Sequence, residues 1–194
     1  MRGSIRIVGG AWRGRRLRVP SGLDLRPTSE LLREALFDIL GARVKGADVL
    51  DLYAGTGALA LEALSRGAAT ATLVEVNPAY LRAARANAEA LACRDRCRFL
   101  RMEGVAALGA LGRRRRRFHL ILADPPYGSD LAEATARAVG RHGLLLPEGF
   151  LVLEVSSRLV LPERLPPLAC ARARRHGDST LLFYAEEPAV ARST

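Results

Sequence analysis

One lysine, one tryptophan and three cysteines in 194 residues each close off a class of protein. Cys93, Cys97 and Cys170 are odd in number and form no CxxC pair, so neither a disulfide framework nor a complete zinc site is expected, and no metal is assigned. Buried or bystander thiols are the reading for Cys93 and Cys97. No stretch is long and uncharged enough to span a bilayer, and Met1-Arg2-Gly3-Ser4-Ile5-Arg6 lacks the apolar run of a secretory signal. A cytoplasmic protein without a membrane partner is expected. Acid is scarce as well: 20 Asp and Glu stand against 30 Lys and Arg, a formal net charge of +10. Coding bias accounts for arginine replacing lysine everywhere but Lys45, yet it does not create an excess of base over acid. Nucleic acid is therefore the favoured partner. With 49% hydrophobic residues the chain fits one domain with an ordinary core, a monomer by default.

What is present begins with Asp51-Leu52-Tyr53-Ala54-Gly55-Thr56-Gly57-Ala58, an acid at a strand end, a glycine turn and a helix expected over 58–66. Glycines here let backbone approach a ligand closely and expose the N–H groups of the helix start. Gly55-Thr56-Gly57-Ala58-Leu59-Ala60 also satisfies the dinucleotide pattern G-x-G-x-x-A, with Glu75 near the place of a ribose-binding acid. Asp51 separates the two readings. A pyrophosphate gains nothing from a carboxylate just before its glycine loop, whereas the amino and sulfonium groups of S-adenosylmethionine are cationic and favour one. The methyl donor is thus preferred over NAD.

A second motif sharpens this. Leu120-Ile121-Leu122-Ala123 runs straight into Asp124-Pro125-Pro126-Tyr127. Two successive prolines cannot continue a sheet ladder and fix φ, so the chain leaves the strand in one rigid shape. Proline has a carbonyl and no N–H. Pro125 and the Asp124 carboxylate can both accept from an exocyclic amine, while the Tyr127 ring is available to stack on a base. A strand ending at a Pro-Pro turn beside a solvated Asp is the plainer alternative. Beside the first motif, Asp124, Pro125, Pro126 and Tyr127 become the candidate catalytic residues for transfer to a nucleobase amine.

Along the chain, 5–8 and 17–19 read as short strands around Gly9-Gly10-Ala11-Trp12-Arg13-Gly14-Arg15-Arg16, a basic hairpin with one exposed tryptophan. Arg6, Trp12, Arg13, Arg15 and Arg16 make it a candidate RNA contact, with a purely structural hairpin as the alternative. A helix capped by Thr28 or Ser29 carries the stripe Leu31, Leu32, Ala35, Leu36, Ile39 and Leu40. Strands are expected over 49–53, 70–75, 98–102, 120–123 and 150–155, and helices over 58–66, 78–91, 105–111 and 131–142. Such alternation means a parallel sheet covered on both faces, with ligands at the carboxyl ends of its strands. Asp51, Glu75, Glu103 and Asp124 all fall there. Residues 169–175 and 180–184 read as an antiparallel hairpin through Gly177-Asp178. The layout divides into an amino-terminal extension over 1–27, a methyltransferase domain over 28–185 and a tail over 186–194. The arginine run 113–117 is expected on the opposite edge of the sheet.

Both motifs and the hairpin together resemble the bacterial RsmD family, methyltransferases that modify N2 of one guanine in 16S ribosomal RNA. The resemblance is carried by Arg6-Ile7-Val8-Gly9-Gly10, Trp12-Arg13-Gly14-Arg15, Leu25-Arg26-Pro27-Thr28, Arg33-Glu34-Ala35-Leu36-Phe37, the Asp51 and Asp124 motifs, Glu62-Ala63-Leu64-Ser65-Arg66-Gly67-Ala68 and Gly177-Asp178-Ser179. Thr56 stands where serine is frequent, Ser179 where threonine is, and Glu103 where the family often has a small amide or acid before an alanine. The resemblance implies a Rossmann-like class I fold, seven-stranded with one antiparallel final strand, and a substrate carried in an assembling or assembled small ribosomal subunit. It also implies that Arg26, Pro27 and Thr28 close over the donor, joining Asp51, Tyr53, Ala54, Gly55, Gly57, Glu75, Val76 and Glu103 around it. An adenine-N6 methyltransferase is the nearest rival, followed by a non-catalytic RNA-binding assembly factor and a nicotinamide oxidoreductase.

Overall fold

The computed structural model describes residues 5–20, 29–126 and 129–187, with Ser129 as backbone only. Ile5–Arg6 (β1) and Arg16–Leu17 (β2) pair antiparallel, a shorter ladder than the sequence suggests because Gly10–Trp12 winds into a 3-10 turn between them. Gly10 is required at that turn. Its φ is +74°, and a Cβ there would collide with the Ser65 carbonyl. Helix α1 (Glu30–Leu40) starts at Ser29, whose hydroxyl accepts from the Leu32 N–H at 3.1 Å. Leu32, Leu36, Phe37 and Leu40 face inward as the helical period requires, but Leu31, expected in the stripe, is 65% exposed. Arg33 takes the inward place.

The main sheet holds β3 (Asp48–Leu52), β4 (Thr70–Val74), β5 (Cys97–Leu100), β6 (Phe118–Ala123), β7 (Leu145–Ser156), β8 (Arg164–Leu165), β9 (Leu168–His176) and β10 (Ser179–Glu186). Their order is β5-β4-β3-β6-β7-β10-β9-β8. β3 to β7 are parallel and β10 runs antiparallel against β7. The seven expected strands are all there. The eighth is the two-residue β8, which pairs with Leu168 and Ala169 at the edge. Helices α2 (Ala58–Ser65), α3 (Pro78–Ala90), α4 (Gly104–Arg113) and α5 (Ser129–Arg141) make the crossovers.

Side chains alternate across β3 and β6 and divide the core in two. Val49, Leu120 and Leu122 join the layer under α1, α2 and α3, whereas Leu50, Leu52, Ile121 and Ala123 join the layer under α4 and α5. Ile5, Ile7 and Leu17 of the hairpin belong to the first layer. The three cysteines are free thiols, with Cys93 and Cys97 buried. Among the described residues no helix is long and apolar enough to cross a membrane.

Candidate active site

After β3 the chain visits β4 and β5 on one side and then crosses to β6 on the other, so β3 and β6 splay their connections apart at their carboxyl ends. Open α/β sheets hold ligands at such a switch point. A cavity of about 480 Å³ lies there, lined by Asp51, Tyr53, Ala54, Gly55, Glu75, Val76, Glu103, Asp124, Pro125 and Pro126 among the expected residues. Thr56, Tyr80 and Met102 also line it and went unassigned in the sequence. Tyr80 had a readable signal: Asn77 caps α3 and Pro78 opens it, which sets the first turn of that helix over the end of β4.

Asp51 shares the parity of Val49 on β3 and so faces α2. Its Oδ2 accepts from the Ala60 N–H at 3.0 Å, serving a helix that has no side-chain cap of its own. Its Oδ1 is buried and has no hydrogen-bond partner among the described residues. Burial above all, with smaller contributions from the Asp124 and Glu75 charges, pushes the Asp51 carboxyl up to about 8 against the pull of the Ala60 N–H. An unmatched acceptor on a carboxyl that burial keeps from ionising fits a cationic guest, whose charge favours the carboxylate form. The Thr56 hydroxyl, also buried and without a partner among the described residues, adds a second open polar atom.

Glu75 staples the loops after β3 and β4 together. Its Oε2 accepts from the Gly55 N–H at 2.8 Å and its Oε1 from the Asn77 N–H at 2.7 Å. Each carboxylate oxygen retains a second lone pair for a ligand hydroxyl. Gly55 lines the cavity, but Gly57 does not: with φ +84°, it turns the chain into α2, and a Cβ there would lie 2.9 Å from the Leu73 side chain. Glu103 caps α4 through the Ala106 N–H at 2.9 Å. Tyr53 sits at φ 64°, a left-handed conformation uncommon for a side-chain-bearing residue, and its hydroxyl meets Thr135 at 2.9 Å. At the mouth, Pro125 is buried, Pro126 is exposed and Asp124 lies between these extremes. Tyr127, Arg26, Pro27 and Thr28 lie outside the described residues.

The hairpin is docked on the flank. Val8 N–H donates to buried Glu62 at 2.8 Å and Trp12 N–H to Ser65 at 2.9 Å, while Arg18 and Asn87 bond each other twice. Trp12 is half-buried, with the Arg96 guanidinium 5.4 Å from its ring centroid, and is not the exposed ring expected from the sequence. Trp12 packs against the first core layer, and Arg96 before β5 lies over its ring. Ser65 lies seven residues along α2 from Ala58, roughly 10 Å from the crevice end, so the hairpin tip points away from the mouth. Arg6 is ion-paired with Glu30 at 2.9 Å and Arg15 donates to the Ala90 carbonyl at 2.9 Å. Arg13 and Arg16 are exposed.

A parallel sheet reversed by one antiparallel strand, with a carboxylate-floored cavity at its switch point, is the class I fold of S-adenosylmethionine-dependent methyltransferases. The family model described as Conserved hypothetical protein 95 matches residues 5–185, and the chain belongs to that family. It is 38% identical over 185 residues to the ribosomal RNA small subunit methyltransferase D of Escherichia coli, covering 95% of this chain and 91% of the relative. The solved structure of the Escherichia coli protein yhhF superposes with a TM-score of 0.84 at 35% identity, covering 95% of this chain and 99% of that one. A 16S rRNA N2 guanine methyltransferase (RsmC) of Thermus thermophilus, solved with AdoMet and guanosine, gives 0.71 at 28% identity over 95% of this chain and 50% of its own. Fold and family make this chain an S-adenosylmethionine-dependent methyltransferase.

Proposed function

We propose that the chain methylates the exocyclic N2 of one guanine in the 16S RNA of the small ribosomal subunit. One observation carries the reading: the rigid acceptor corner Asp124-Pro125-Pro126 stands at the mouth of the cavity whose floor holds the unmatched Asp51 oxygen. Asp51 holds the cationic methionine end, Glu75 accepts from the ribose hydroxyls, and Tyr53, Ala54, Gly55, Val76 and Glu103 line the remainder, with Arg26, Pro27 and Thr28 closing over them. Bound there, S-adenosylmethionine supplies an electrophilic methyl carbon.

The residues at the mouth prepare the amine. Its lone pair is delocalised into the guanine ring and is a poor nucleophile. When the Asp124 carboxylate and the Pro125 carbonyl each accept one N–H, the nitrogen pyramidalises and its lone pair points inward. Positioning of this kind contributes up to about 7–11 kcal/mol in favourable cases. Transfer would form the N–C bond as the methyl–sulfur bond breaks and release neutral S-adenosylhomocysteine, and Asp124 takes the surplus proton from nitrogen and passes it to solvent. Because the amine is out of reach inside a helix, the base is splayed from its stack and rests on Tyr127. Arg13 and Arg16 on the hairpin add exposed positive charge on the flank of the domain. A ribosomal substrate places the chain in the cytoplasm.

The test is transfer from labelled donor to small subunits lacking the modification, followed by digestion and mass spectrometry of the nucleosides. N2-methylguanosine at a single position is expected. N6-methyladenosine would install the adenine rival, and donor binding without transfer would favour an assembly factor.

A further inference from the structure

Residues 171–176 of β9 are all exposed, and beyond Ala169 its outer edge pairs with no strand among the described residues. Three arginines stand on this edge, Arg172, Arg174 and Arg175. None of them is in an ion pair among the described residues, whereas Arg6, Arg66, Arg137 and Arg164 all are. Arg175 reaches only the Gly177 carbonyl of its own turn, at 3.4 Å. Arg172 and Arg174 share one face, roughly 6.6 Å apart along the strand.

Sheet register fixes where this edge lies. Ala123 pairs with Leu153, so Glu154 lies one step further, level with Asp124. Glu154 pairs with Leu181, and Leu181 with Arg174. Arg174 is therefore in the Asp124 row, three strand spacings or roughly 14 Å to the side. Arg158 joins it at the rim, because the neighbouring Ser157 N–H donates to the Asp178 carbonyl in the β9–β10 turn at 2.8 Å. Asp178 is the exposed acid at this turn, beside the arginines and His176. The other conspicuous basic segment, the run 113–117, leads from α4 into the start of β6 and so occupies the opposite edge of the sheet.

We infer that the β9 edge, with Arg158, grips the phosphates of the RNA flanking the target guanine, on the β7 side of the crevice. The inference rests on the proposed RNA substrate. Guanidinium groups bind phosphate oxygens bidentately, and an extended strand offers them at a fixed repeat without the ordering cost of a loop. Arginines on an unpaired edge also discourage strand-to-strand association, and that simpler role makes a different prediction.

The experiment compares the wild type, the triple variant Arg172→Gln, Arg174→Gln, Arg175→Gln, and a control with Arg113, Arg114, Arg115 and Arg117 changed to Gln. Affinity for a 16S rRNA transcript is measured against salt, alongside KM for unmodified subunits and mass by light scattering. The triple variant lowers the slope of log affinity against log salt by about 2, at roughly 0.7 per phosphate contact on single-stranded RNA, and raises KM roughly tenfold. It remains monodisperse and binds donor as the wild type does, while the control shifts neither slope nor KM comparably. The single variant Arg174→Gln lowers the slope by about 0.7 and serves if the triple one folds poorly. Unchanged RNA affinity with self-association would make the arginines edge guards and overturn the inference, as would an equal loss in the control. A wild type that neither binds nor methylates RNA would remove the substrate reading and this inference together, whereas a fully active triple variant would remove the inference alone.

Discussion

The amino-terminal hairpin and the β9 edge are both rich in arginine, yet their surroundings differ. In the hairpin, Arg13 and Arg16 are exposed, but Arg6 is tied to Glu30, Arg15 to a helix carbonyl, and Trp12 lies under Arg96, while the backbone is fastened to Glu62, Ser65 and Asn87 on a flank away from the crevice. Along β9, a strand held by its ladder, the arginines face solvent without acidic partners among the described residues. Charge density alone therefore does not identify a nucleic-acid surface. What matters is which positive groups the fold leaves unpaired and on which edge of the sheet they stand.

The largest effect that can sharpen this contrast lies between the two surfaces. Asp124→Ala slows transfer about 100-fold or more, with donor and RNA affinities within a few-fold. Lost RNA affinity in this variant would break the separation of chemistry from binding. Next is the anchor of the hairpin. Glu62 is fully buried, holds Arg66 at 2.8 Å and accepts the Val8 N–H. Removing it leaves the Val8 N–H without its acceptor and part-exposed Arg66 to its more distant partner Asp38 at 3.4 Å, and Glu62→Ala is expected to lower stability by roughly 1–3 kcal/mol in urea titration. An unchanged midpoint would make the hairpin an independent arm.

Asp51 separates the donor pocket from both surfaces. Its carboxyl is raised to about 8 in the folded chain, so the native state binds the extra proton between about pH 4 and 8. Its contribution to stability is full below about pH 4 and is lost as pH rises through about 8. A cationic ligand favours the ionised form. Donor binding near pH 7 therefore releases protons, and donor affinity climbs with pH up to about 8. Calorimetry in two buffers of different ionisation heat reads the release directly. Asp51→Asn should abolish it and weaken donor binding roughly tenfold to hundredfold. Proton uptake by the wild type would contradict the assignment.

The smallest expected effect is that of Trp12→Ala. Half-buried packing predicts a stability loss of about 1–2 kcal/mol and RNA affinity within about twofold. A larger RNA defect would raise the hairpin to equal rank with β9.

Residues that depend on local chemistry were legible in the sequence. The apolar runs of β3 and β6, the acids at their ends and the Pro125-Pro126 corner all lie where the pattern put them. Residues whose role depends on a distant partner were not. The stripe of α1 included Leu31 because nothing local revealed that Arg33 would turn inward, its guanidinium donating to the Arg6 carbonyl at 2.6 Å. Gly57 was read as a ligand glycine; that Leu73 on the next strand also closes off space for a side chain there was not legible. The first half of β7 contains Leu146-Pro147-Glu148-Gly149, residues that punctuate strands, and its pairing with β6 does shift register there. β8 spans only two residues between prolines and has no periodicity to read.

The central claim is that one corner, Asp124 with the Pro125 carbonyl, holds both protons of a guanine amine beside the donor. A crystal structure of the chain with S-adenosylhomocysteine and guanosine tests it most directly. The account predicts the amino group of the donor product at the open Asp51 oxygen and guanine N2 within hydrogen-bond distance of both acceptors. Guanosine seated by another edge, with N2 turned away from Asp124, would contradict it.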